Sequence, residues 1–93
     1  MSDQKIGGRD SAAALLTRIE QDQAYAHILL RQTLPALPDP RERRLAAAIV
    51  NGVLKNRGAL DYILRRHLRK PLRALPAEAR AALRTGAFQI LYL

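Results

Sequence analysis

Apolar residues recur along this chain with helical spacing, and the intervals between them mark where each helix stops. Ala12, Leu15, Leu16 and Ile19 fall at i, i+3, i+4 and i+7 and predict an amphipathic helix from Arg9 to Asp22. A second periodic stretch, from Ala24 to Leu34, turns Tyr25, Ile28 and Leu29 to one side and ends at Pro35. Three prolines interrupt the segment LPALPDPRERR. Within it Asp39 is placed to cap a new helix, with Pro40 at the first helical position and Glu42 three residues after the cap. That third helix carries Ala46, Ile49, Val50, Val53 and Leu54 on one face, and Gly52 in its interior marks either a close helix crossing or a tolerated glycine. Asn56 to Gly58 supply a stop, with Gly58 available for a left-handed cap. A fourth helix, Ala59 to Arg69, gathers Leu60, Ile63, Leu64 and Leu68, and a fifth runs from Pro76 to Leu93 after a short connection bracketed by Pro71 and Pro76.

The fifth helix ends unusually. Phe88, Ile90, Leu91, Tyr92 and Leu93 span most of its circumference, and a helix that is apolar all round belongs inside a core. The last turn is therefore expected to be frayed, or covered by another copy of the protein.

Composition supports an all-α fold. Of 93 residues 48% are hydrophobic, with Ala and Leu dominant and few aromatic or β-branched residues, the balance that helices use and sheets avoid. That length suffices for one domain with a modest core. Residues 1–8 read as a flexible polar leader and residues 9–93 as the folded part. There is no cysteine, which excludes a disulfide framework, a thiolate metal site and a cysteine nucleophile in this chain. His27 and His67 are too far apart, without carboxylates at ligand spacing, to suggest a metal, and His67 reads as partly buried at the edge of an apolar face. No segment resembles a signal peptide or a membrane span, so the expected location is the cytoplasm, with no membrane partner.

Charge points to a partner. The formal net charge is +8, and residues 55–93 hold nine basic side chains against two acidic, whereas residues 1–54 hold seven against six. Thirteen of the sixteen cations are arginine, the residue suited to bidentate phosphate contact and to stacking on bases. A polyanion is the natural partner. On the fourth helix, at about 100° per residue, Arg65, Arg66, Arg69 and Lys70 lie opposite the apolar stripe, with Tyr62 among them. Two readings of Tyr62 stand side by side: a platform for an unstacked base flanked by phosphate-binding cations, or a ring packed on a neighbouring segment. Arg57 and Arg73 extend the candidate RNA-binding set. No paired carboxylates, nucleophile with a nearby base, or glycine-rich phosphate loop marks a catalytic site, and Glu20 reads as a helix-end residue.

Several spaced blocks also resemble a known family. ERRLAAAIVNGVLKNRGALDYIL at residues 42–64 and LRTGAFQILYL at residues 83–93 are similar to the NusB-like domain, in the version found at the N-terminus of the RsmB (Sun/Fmu) type of small-subunit rRNA cytosine-C5 methyltransferase. The matching positions are Glu42-Arg43, Gly52 to Lys55, Leu60-Asp61-Tyr62 and Leu83 to Gln89, with Arg9 and Ala12 opening the first helix. Asn51, Lys55 and Thr85 depart from the family pattern, which has an aromatic, an arginine and an apolar residue there. The resemblance implies a helical bundle of two sub-bundles, of which this chain supplies the first and only the opening helix of the second. It also implies RNA recognition, to which Arg9 and Arg43 are added as candidate contacts. In the methyltransferase branch the domain would recognise rRNA for a catalytic domain that holds S-adenosylmethionine and a cysteine nucleophile, neither expected in this segment. In the alternative branch, transcription antitermination, it would bind RNA together with a ribosomal protein, and a third use of the last helix is as a protein-docking surface.

Overall fold

A computed structural model describes residues 7–21 and 26–93, and the described residues form five α-helices and no strand. The helices are α1 (Gly8–Gln21), α2 (Ala26–Thr33), α3 (Pro40–Lys55), α4 (Arg57–Arg65) and α5 (Ala77–Tyr92), with short 3₁₀ turns at Leu34–Ala36 and Leu72–Ala74. The all-α expectation holds. Asp22 and Tyr25, and the leader up to Ile6, lie outside the described residues.

α1 is the central element and packs on both α3 and α5. Its stripe of Ala12, Leu15, Leu16 and Ile19 is buried as the periodicity predicts, against Ile49, Val50 and Val53 of α3, Leu60 of α4, and Ala81 and Phe88 of α5. Fully burying each large aliphatic side chain contributes about 1.5–3 kcal/mol. Gly52 is the close crossing: a Cβ there would overlap the Phe88 ring. Gly8 serves a similar purpose, because a Cβ would lie 2.7 Å from the carbonyl oxygen of Glu42.

Local chemistry explains the boundaries and several departures from the expected ones. The Asp39 side chain accepts from the backbone N–H of Arg41 at 2.9 Å, so α3 starts where the cap places it. Glu42 does not complete a capping box. It accepts the N–H of Gly8 at 2.5 Å and so ties the start of α1 to α3. Asn56, at φ −109° and ψ 19°, bends the chain directly from α3 into α4, and both its backbone N–H and its side-chain amide donate to the Gly52 carbonyl. Gly58 is thus a residue of α4 and caps nothing, and no glycine among the described residues has a positive φ.

α4 also ends earlier than its sequence pattern predicts, at Arg65 and not Arg69. The N–H groups of Arg66 and His67 donate to the carbonyls of Ile63 and Leu64, an i to i−3 tightening that closes the helix before Pro71. His67 consequently falls in the turn and is exposed, not partly buried. In α2 the inward face is rotated from the one expected: Leu30 is buried, Leu29 is half-buried and Ile28 is exposed.

Candidate nucleic-acid interface

The end of α4 and the connection that follows it carry a run of exposed cations, Arg65, Arg66, Arg69, Lys70 and Arg73. Because α4 stops at Arg65, Arg69 and Lys70 stand on the connection and not on the helix face where the wheel puts them, and Arg73 follows them. Among the described residues, none of the five is paired with a carboxylate. Tyr62 is 56% exposed, and the Arg66 guanidinium carbon lies over its ring, 6.0 Å from the centroid. Its phenol ring is thus open to solvent beside a cation and is not packed away in the core.

The other arginines of the second half have different work. Glu20, near the end of α1, receives Arg80 Nε at 2.9 and 3.0 Å and Arg80 Nη2 at 2.5 Å, while Arg84 Nη1 reaches its second oxygen at 2.6 Å. Arg84 also grips Asp61 of α4 bidentately, at 2.8 and 3.0 Å. Arg57 stands 3.8 Å from Glu20 without a hydrogen bond. The hydrogen bond from Arg80, aided by Arg84 and opposed by burial, holds the Glu20 carboxyl down at about 2, so Glu20 stays ionised at neutral pH. Burial lowers the pKa of Arg84, but its bonds to Asp61 and Glu20 outweigh that and raise it.

The sequence pattern places Glu20 at a helix end and does not show this cluster. A signal was present. Arg84 stands with Ala81, Thr85 and Phe88 at the spacing of a buried stripe, and all four are buried. A guanidinium in such a stripe requires a countercharge from another element.

A cavity of about 570 Å³ opens over the cluster, and three candidate RNA-binding residues, Arg57, Arg65 and Arg73, line it together with Arg80 and Arg84. The other six candidates do not line it: Tyr62, Arg66, Arg69 and Lys70 stand outside it, and so do Arg9 and Arg43. Arg9 is exposed and donates to Gln89 Oε1 of α5, and Arg43 donates to the carbonyls of Leu37, at 2.5 Å, and Pro38, at 3.3 Å.

At the far end of α5, Phe88 enters the core and stacks on Tyr92, with ring centroids 5.2 Å apart. Ile90, Leu91, Tyr92 and Leu93 are exposed, Ile90 to 85%.

Fold and surface together define a small all-α domain with a buried ionic joint and a basic, arginine-rich face. The chain belongs to the NusB family, which it matches over residues 8–93. It is 36% identical, over 96% of its own length, to the probable ribosomal RNA small subunit methyltransferase B of Bacillus subtilis. It is 35% identical, over 91% of its length, to the ribosomal RNA small subunit methyltransferase B of Xanthomonas campestris, and 26% identical over 95% to the probable enzyme of the same name in Synechocystis. In each case the matched region is 20% of the relative, so the chain spans about a fifth of the length of the curated relatives it matches. No solved structure gives a significant match.

Proposed function

We propose that this chain is an RNA-binding domain that recognises small-subunit rRNA on behalf of a methyltransferase catalytic domain. The observation that carries this reading is the run of unpaired, exposed cations from Arg65 to Arg73 beside the exposed Tyr62, on a chain related to rRNA methyltransferases. Arginines hold phosphates on either side of a base that stacks on Tyr62, a mode suited to unpaired segments of rRNA. Chemistry at cytosine C5 needs a cysteine thiolate, and these 93 residues contain no cysteine. The thiolate and S-adenosylmethionine belong, on this reading, to another domain, and the work is done in the cytoplasm where ribosomal subunits are assembled. The test is titration of the chain with fragments of small-subunit rRNA alongside a basic peptide of equal charge. Tighter binding by the chain, weakened by Tyr62→Ala by about 1–3 kcal/mol, supports the reading. Affinity equal to that of the peptide overturns it.

A second reading rests on the exposed Ile90, Leu91 and Leu93: the last turn of α5 docks on a protein, either a ribosomal protein as in antitermination or a second copy of this chain. Charge reversal at Arg65 and Arg69 would then leave partner binding intact, and polar substitution at Ile90 and Leu91 would abolish it. No helix of the described residues is long and apolar enough to cross a membrane.

A further inference from the structure

We propose that the cavity over the Glu20–Arg84 cluster is a phosphate-binding pocket, in which Arg57, Arg65 and Arg73 close on a phosphate group above a floor made by Arg80 and Arg84. Its assignment to an RNA backbone phosphate rests on the RNA-binding reading above; the phosphate chemistry does not.

Charge is the first ground. Five guanidinium groups line the cavity against two carboxylates, a surplus of three positive charges in one recess. The two carboxylates are already engaged, Glu20 by Arg80 and Arg84 and Asp61 by Arg84. Neither neutralises the outer arginines. A recess of one sign with low-dielectric walls concentrates counterions, and here the counterion is an anion.

Donor supply is the second ground. Each guanidinium presents five N–H groups. Arg57 makes only its 3.8 Å approach to Glu20, and among the described residues Arg65 and Arg73 form no ion pair. Arg57 is a third arginine on a carboxylate whose oxygens already accept from two others, so its attachment is weak and its donors are available. A tetrahedral phosphate accepts from several planar forks at once.

The third ground is rigidity and size. Arg80 and Arg84 are fixed by carboxylates from α1 and α4, so the floor is built before any anion arrives and little ordering cost falls on binding. A cavity of about 570 Å³ holds a phosphate with its sugar, and Pro71 and Leu72 give that sugar an apolar wall.

Side-chain Nε–Hε NMR spectra of the ¹⁵N-arginine-labelled chain read the site directly. Inorganic phosphate is titrated at constant ionic strength, with acetate as the control anion, and then an RNA oligonucleotide is added. The expected result is saturable shifts at Arg57, Arg65 and Arg73 with one common constant, absent at Arg69 and with acetate. Arg73→Ala, at an exposed position that leaves the floor intact, should weaken phosphate binding about tenfold. Non-saturating shifts spread over all arginines, or equal shifts with acetate, would overturn the proposal. RNA that displaces phosphate from the same three arginines identifies the backbone as the source. Phosphate binding without RNA binding keeps the pocket and removes the RNA reading, and RNA binding without saturable phosphate shifts does the reverse.

Discussion

Glu20 shows how one residue makes the joint between three helices. Its folded pKa of about 2 lies below the usual 4.5, so the unfolded chain takes up the proton first. Its contribution is complete above about pH 4.5 and is lost as the pH falls toward 2. Denaturant unfolding of Glu20→Gln should show a loss of about 2 kcal/mol at neutral pH and a shallower acid limb than wild type, because the variant has lost that titration. Thr85 has the opposite character. Its hydroxyl is buried in α5 and has no hydrogen-bond partner among the described residues. Thr85→Val keeps the shape and removes the unsatisfied group, and should raise the unfolding free energy by about 1 kcal/mol.

At the scale of elements, the helices were legible and the joints between them were not. Periodicity located every helix, since an i, i+3, i+4 stripe reports burial directly; the stripes of α1 and α3 are the core. Boundaries that depend on backbone bonding were misplaced: Asn56 bends α3 into α4, and the tightened turn after Arg65 moves Arg69 and Lys70 off the helix. Periodicity marks Arg84 as a buried position but not which carboxylates it meets, which is why Glu20 reads as a helix end and Asp61 and Arg84 as motif residues. The blocks that resemble the family turn out to be these joints: Glu42 holds Gly8, Gly52 admits Phe88, Asp61 pairs with Arg84, and Gln89 receives Arg9. The two ends of α5 differ correspondingly. Phe88→Ala should cost about 3–5 kcal/mol, whereas Ile90→Gln, at a position already in water, should change stability by less than about 0.5 kcal/mol. Thermal unfolding of the two variants separates a helix anchored along its length from one anchored only through Phe88.

For the whole molecule, the surplus of charge in the second half is divided between two settings, a buried joint and an exposed run. Arg80 and Arg84 hold the Glu20–Asp61 joint and Arg57 stands loosely beside it, while Arg65, Arg66, Arg69, Lys70 and Arg73 are exposed and unpaired among the described residues. Under the proposed RNA-binding function this division makes a sharper claim than net charge does, because it separates the cations that hold the fold from those left to meet RNA. The direct test is the salt dependence of binding to a small-subunit rRNA fragment, for the wild-type chain and for Arg65→Gln/Arg69→Gln. Each phosphate contact contributes about −0.7 to −0.9 to the slope of log affinity against log salt, so the double variant should bind more weakly with a slope shallower by about 1.5. An unchanged slope and affinity, with the fold intact, would contradict the account.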